Sequence, residues 1–330
     1  MLGALSPFRY ISRRALPLTA TVLVCALLYT VAAVEFQGFF SGSVFIEFFS
    51  ENAFLGIAAL GTTFVILSGG IDLSVGSVVG CSGIVLAVMI QSWHIHPILA
   101  ILIVLAGSTL IGLGMGALIH LFALTPFLVT LGGLFVLRGM ALLVSAESIS
   151  ITHPLYDHLS SMTFPLGFGL ELPLTAGIFF ALTIILVVVS IQTPFGRNVY
   201  AVGGNETSAL LMGLPVGRTK IAVYALGGFC SGLAGVVNTI YTSSGNAIAA
   251  TGMELDAIAA VVVGGTLLSG GVGYVIGTPL GVLAFAIIST AITFQGTLSS
   301  WWTRIAIGGL LLLFVVIQRL IQFTGRKGKT

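Results

Sequence analysis

Charge is scarce in this sequence. Asp, Glu, Lys and Arg make up 7% of the 330 residues, against about a quarter in a soluble domain. Twelve Lys and Arg and ten Asp and Glu cannot wet the surface of a chain this long. The shortage excludes a soluble enzyme, a disordered chain and a nucleic-acid-binding domain. Cysteine is scarce as well. Cys25, Cys81 and Cys230 are odd in number, dispersed, and set in apolar runs. Such a set offers neither a disulfide framework nor metal-ligand spacing, so it reads as small packing residues, and no metal site is expected. Polar–apolar alternation is also missing from the apolar runs, which excludes a β-barrel, whose strands need it.

What remains is apolar length. Hydrophobic residues reach 57%, with 43 glycines. Runs of bilayer length, about 20 residues each, define an all-α polytopic membrane protein of about ten transmembrane helices. The spans are placed near 15–34, 53–70, 74–92, 97–120, 126–146, 173–191, 221–243, 255–270, 272–294 and 301–321. The eighth is short enough to be a half-span. The whole chain, 1–330, is read as a single transmembrane domain, with loops at about 147–172 and 193–220.

Basic residues set orientation. Arg9, Arg13 and Arg14 precede the first span, Arg197, Arg218 and Lys220 lie between spans six and seven, and Arg319, Arg326, Lys327 and Lys329 end or follow span ten. With the N-terminus in the cytoplasm, an even span count gathers all three groups there. Both termini and the loop 193–220 are then cytoplasmic, and the loop 147–172 is external. Most of the acids fall outside on the same reading, Glu254 and Asp256 among them.

One segment occurs twice. Leu67-Ser68-Gly69-Gly70 recurs as Leu268-Ser269-Gly270-Gly271, and the match extends through Gly76 with Gly277, Ser77 with Thr278 and Gly80 with Gly281, each pair 201 positions apart. Each copy is a glycine-rich junction between two apolar runs. Tight turns alone would account for the glycines; an internal duplication whose junctions meet near a central path accounts for the repetition as well. The small-xxx-small stripes Gly112/Gly116, Gly228/Gly232 and Gly273/Gly277/Gly281 read as close helix packing.

Two ionisable residues are expected at membrane depth, Asp72 beside the first junction and Arg138 in the fifth span. A charge there is costly and marks a candidate site. Asp72 could cap the third span through backbone N–H groups, pair with Arg138, or touch solute. Arg138 could satisfy carbonyls at a helix break. With Ser68, Ser74 and Asn238, they form the candidates for a translocation path or its framework. A proton-coupled carrier strings several carboxylates or histidines through the bilayer; a lone Asp directs the search for energy outside the chain. No catalytic residue is assigned. Gly80-Cys81-Ser82-Gly83 mimics the nucleophile of an intramembrane serine protease, but His94, His96, His120, His153 and His158 all fall in loops or at a span end, where none supplies the base. Gly328-Lys329-Thr330 lacks the earlier glycine of a phosphate loop, since Phe323 stands there, so no ATP site is expected in this chain.

In the loop 193–220, Asn205 is placed to cap a short helix through Ser208 to Met212, with Gly213 and Pro215 ending it. Such a helix suits a partner's groove. At these residues the sequence resembles a known family. Gly69-Gly70-Ile71-Asp72-Leu73-Ser74-Val75-Gly76 is similar to a signature of the ribose-type ABC importer permeases. Gly203-Gly204-Asn205-Glu206, Ala209 and Met212-Gly213 are similar to their ATPase-coupling loop. The runs from Thr125 to Gly132 and from Asp256 to Gly265 resemble the family too, and the likeness spans about residues 15–323. A finer resemblance, to galactofuranose-importer permeases, lies in Asn52-Ala53-Phe54-Leu55-Gly56, in Ile151 to Asp157 and in Gly296 to Trp302.

The resemblance implies a type II-like ABC importer permease of the bacterial inner membrane, carrying a monosaccharide, galactofuranose by the finer match. Other members carry other pentoses, hexoses or nucleosides. It implies a second permease subunit, an ATPase with two nucleotide-binding halves that binds the ATP and Mg, and a periplasmic sugar-binding protein. Gly203, Asn205, Glu206, Ala209 and Gly213 would couple the chain to the ATPase.

Overall fold

The computed structural model describes residues 16–326 apart from Phe168, Leu298 and Ser300. Arg9, Arg13, Arg14, Lys327, Lys329 and the phosphate-loop mimic at Gly328 to Thr330 lie outside the described residues.

In chain order, α1 (Leu16–Glu35) is followed by α2 (Gly42–Glu51), α3 (Ala53–Leu67), α4 (Val75–Gln91), α5 (Pro97–Leu121) and α6 (Pro126–Val144). A short strand β1 (Ile149–Ser150), a helix α7 (Pro154–Ser161) and the strands β2 (Thr163–Gly167) and β3 (Leu170–Pro173) precede α8 (Leu174–Gln192). Then come α9 (Pro194–Gly204), α10 (Glu206–Leu211), α11 (Val216–Thr242), β4 (Ser244–Gly245), α12 (Met253–Val263), α13 (Gly277–Gln295) and α14 (Trp301–Arg326). Proline marks several starts. Pro97, Pro126, Pro154 and Pro194 each stand in the first turn of a helix, where the missing N–H has no partner to lose.

A helix overlaps each of the ten predicted spans. Six (α1, α5, α6, α8, α11 and α13) are long and apolar enough to cross a bilayer by themselves. α3 reaches that length only with α2, across a 58° bend, and α4 is a shorter apolar helix. α12 has 11 residues and reaches about 16 Å, half the hydrocarbon core. The short eighth span is therefore a half-helix, preceded by irregular chain through 246–252.

α11, 27 residues long, packs against α3, α4 and α5. Lipid offers no hydrophobic drive between helices, so close packing must hold them. Gly112 and Gly228 face each other across α5 and α11, where a side chain at either would strike backbone of the other helix. Gly281 meets the Ala260 carbonyl, and Gly277 meets Gly264. Gly273 departs from its predicted stripe: it lies before α13 at φ +154°, outside any helix.

The loop 147–172 is more ordered than its polarity suggests. β2 and β3 form an antiparallel hairpin, and β1 pairs with β4 through Ile149–Gly245 and Ser150–Ser244. Tyr156 of α7 is fully buried, its hydroxyl 3.1 Å from Thr239 Oγ1 on α11. These contacts tie the loop to the end of α11 and to the irregular chain before α12.

Candidate functional site

The two glycine junctions meet. Gly271 donates its N–H to the Leu67 carbonyl at 2.9 Å, and Gly270 lies against Gly69. The repeat is conformational as well as sequential: Gly69 and Gly270 take φ +84° and +81°, values that L side chains adopt only with strain. α3 and α12 both run into this meeting point, and α4 and α13 both leave it, so the two copies point the same way.

The end of α9 is wedged into the contact. A side chain at Gly203 would collide with the Leu67 carbonyl and the Gly271 N–H, and Gly204 backs onto Gly271. Tyr200, one turn earlier, donates its hydroxyl to the Gly273 carbonyl at 3.1 Å. α9 therefore touches both junctions through backbone alone on one side and a tyrosine on the other.

α10 continues from α9 as an exposed finger. The Asn205 side chain accepts from Ser208 N at 2.7 Å, the predicted cap. Gly213 ends the helix at φ +77°. Ala209 is buried between Val202 of α9 and Val216 of α11. Glu206 pairs with Lys220 at 2.6 Å. Leu210, Leu211 and Met212 are 64%, 83% and 68% exposed, an apolar tip offered to a partner. The predicted loop 193–220 is thus largely helical, with α11 starting at Val216 rather than near 221.

Asp72 is buried. Its Oδ1 accepts the Ser74 N–H at 2.8 Å and the Ser74 hydroxyl at 2.6 Å. The carboxylate holds backbone at the entry to α4. Arg138 is not its partner. The guanidinium donates to the carbonyls of Ala247 and Ala249, the latter at 3.0 Å, in the irregular chain before α12. Irregular backbone within a bilayer must find partners inside the protein, and Arg138 provides them. Ser68 donates to the Val65 carbonyl at 2.8 Å. With Gly203, Glu206, Lys220 and Tyr224 it lines a cavity of about 230 Å³ between the junctions and the loop. Asn238 stands apart on α11, half-buried, beside the Thr239 that packs on Gly83. Ser82 of the protease-like motif is buried against Gly235.

Residues 44–315 match the family model described as branched-chain amino acid transport system / permease component. The match takes in both junctions, Asp72, Arg138 and the whole of α9 and α10. The chain belongs to this permease family. The permease is 49% identical to the inner membrane ABC transporter permease protein YjfF of Escherichia coli K12, over 93% of each chain. It is 33% identical to the fructose import permease protein FruG of Bifidobacterium longum, over 96% of this chain and 94% of that one. It is 39% identical to the ribose import permease protein RbsC of Bacillus subtilis, over 82% of each. No solved structure matches. The permease is a ribose-type ABC transport subunit and not an enzyme; its ATPase is a separate chain.

Sequence reasoning missed three groups in the permease. Tyr200 and Tyr224 belong to no motif that marks them out in the sequence. Yet Tyr224 donates to the Ile71 carbonyl at 3.3 Å, as Tyr200 does to Gly273. Glu254, expected outside, is half-buried on α12. Its Oε2 is buried without a hydrogen-bond partner among the described residues, faces Gly76 of α4 and feels the charge of Arg138.

Proposed function

We propose that this permease is the membrane-spanning subunit of an ATP-driven importer that moves galactofuranose across the bacterial inner membrane by alternating access. Import of a monosaccharide is the coarser part of the reading, supported by relatives that import fructose and ribose. Galactofuranose rests on the resemblance in Asn52 to Gly56, Ile151 to Asp157 and Gly296 to Trp302. The chain acts as one transmembrane domain with both termini, α9 and α10 in the cytoplasm. It pairs with a second permease chain, an ATPase with two nucleotide-binding halves that holds ATP and Mg, and a periplasmic sugar-binding protein.

One observation carries the reading: Gly203 and Gly204 sit against both glycine junctions. In this mechanism the ATPase grips the apolar tip of α10. Ala209 packs α10 rigidly on α9 and α11, so a push on the tip displaces α9. Because α9 meets Leu67 and Gly271 without an intervening side chain, its displacement must move the end of α3 and the junction that follows α12. Interiors and packed interfaces are close-packed, so such a shift selects another packing and is not absorbed.

The test is uptake into proteoliposomes holding the permease with its partner chains and the binding protein. ATP-dependent uptake of labelled galactofuranose, ahead of ribose and fructose, is the expected result. Uptake of ribose or fructose alone would replace the sugar, and a complex that moves no sugar would end the proposal.

A further inference from the structure

A second cavity, of about 470 Å³, opens at the far ends of α3 and α12 from the junctions. α3 is 15 residues long, which sets the two sites about 22 Å apart along the helix axis. The cavity is built where a half-helix starts and where irregular chain, held by Arg138, runs into α12. Such backbone within a membrane is expected only inside protein or along a water-filled passage.

Its lining mixes charges, amide and hydroxyls with an apolar wall. Asp256 of α12 and Arg304 of α14 both line it. The Arg304 guanidinium acts on Asp256 through space, yet they close no ion pair within 4 Å among the described residues. Asn52 contributes an amide whose nitrogen already donates to the Phe48 carbonyl at 3.0 Å, which leaves its oxygen as an acceptor. Ser289 and Thr303 add hydroxyls, and buried Phe285 supplies the apolar wall.

We propose that this cavity is a weak subsite for a neutral monosaccharide on its way through the permease, bridging Asp256 and Arg304. The proposal rests on the sugar-import reading above. Opposite charges left apart cancel at a distance, so a neutral solute is not repelled. At short range a carboxylate accepts from a hydroxyl and a guanidinium donates to one, each more strongly than a neutral group does. The hydroxyls can donate or accept and the Asn52 oxygen can accept along the sugar's edge, and an aromatic wall suits its C–H face. No bond is made or broken.

The experiment uses the assembled transporter in lipid nanodiscs, without the binding protein, carrying Thr251→Cys at the cavity rim and alanine in place of Cys25, Cys81 and Cys230. Thr251 is exposed and lines the cavity. Its labelling by a maleimide is followed in the presence of millimolar galactofuranose, ribose or fructose, with leucine and choline as controls. Protection by a sugar and by neither control is expected. Asp256→Asn or Arg304→Gln should weaken that protection about tenfold, the loss of one charge-assisted hydrogen bond. Protection by leucine in place of the sugars would overturn the proposal, because a zwitterion also spans opposite charges. Sugar uptake by the complete transporter with no protection would overturn the subsite and leave the sugar-import reading standing. A transporter that moves no sugar would overturn both. The Thr251→Cys measurement leaves the charged pair intact, so it decides the matter even where a charge variant fails to assemble.

Discussion

The junction between α3 and α4 and the junction between α12 and α13 share Leu-Ser-Gly-Gly and one glycine conformation, but different atoms hold them. The first, residues 68–74, is closed by its own acid, since Asp72 takes both the N–H and the hydroxyl of Ser74. The second, residues 264–276, has Gly273 at the position equivalent to Asp72. Its turns at Gly265, Gly270, Gly271 and Gly273 all have positive φ. It is closed inside by backbone alone, Leu267 N–H to the Val272 carbonyl and Gly270 N–H to the Leu267 carbonyl, and its neighbours add the bonds of Gly271 to Leu67 and of Tyr200 to Gly273. It also follows the 11-residue α12, whereas the first follows the longer, 15-residue α3. Both junctions also take a tyrosine from a neighbouring helix, Tyr224 at Ile71 and Tyr200 at Gly273, so the difference is the carboxylate lock on Ser74, which stiffens the first turn and has no counterpart in the second. The contrast makes the second junction the part of the permease that answers α9.

The sharpest way to break this contrast is at Gly203, which touches both junctions. Gly203→Val forces backbone apart on two sides, an overpacking of about 1–3 kcal/mol at a contact meant to transmit force. Uptake should fall more than tenfold. A pull-down should still capture the ATPase, because Leu210, Leu211 and Met212 are untouched. Near-normal uptake would show that α9 does not drive the junctions.

A change at Asp72 should act on stability first. Asp72→Ala leaves the buried Ser74 N–H and hydroxyl unpaired, which costs about 1–3 kcal/mol for a buried unsatisfied group. Thermal unfolding of the detergent-purified permease should shift down accordingly. Asp72→Asn keeps an acceptor oxygen and should retain most of the stability and part of the transport. Because Arg138 bonds carbonyls near α12 and not Asp72, the effects of Asp72→Asn and Arg138→Gln should add to within about 0.5 kcal/mol. A stable but inactive Asn variant, or strong coupling between the two, would give the charge a role that the geometry does not.

The smallest effect is expected from Tyr200→Phe, which removes one hydrogen bond from the second junction and costs about 1 kcal/mol. The global unfolding temperature should barely move. A cysteine at Leu268, which is 43% exposed, should nevertheless label faster in this variant, while labelling near the first junction stays unchanged. Equal effects at both would erase the contrast.

The sequence carried the positions of the apolar helices because apolar length is written locally, residue after residue. It also carried the meeting of the junctions, since identical turns 201 positions apart are unusual in unrelated loops. The cap on α10 was legible in Asn205 alone. The 58° bend between α2 and α3 was not, because nothing at Asn52 breaks a helix by composition. The β2–β3 hairpin was hidden in a loop containing Pro165 and Gly167. Asp256 and Arg304 lie far apart in the chain, and only packing makes them two walls of one cavity. The backbone roles of Asp72 and Arg138 were legible, since a lone charge in lipid must find local partners, and Asp72 takes the Ser74 N–H while Arg138 takes carbonyls; that those carbonyls belong to Ala247 and Ala249 was not legible, because only packing brings them to Arg138.

The central claim is that both junctions and the tip of α10 share the face where the ATPase docks. Single cysteines at Leu211, Leu268 and Ser160, probed with a membrane-impermeant maleimide, test it most directly. In intact spheroplasts only Ser160→Cys should react, and in inside-out vesicles only Leu211→Cys and Leu268→Cys. Added ATPase subunit should then shield Leu211→Cys. Reaction of Leu211→Cys and Leu268→Cys from opposite sides, or of Leu211→Cys from outside, would contradict the account.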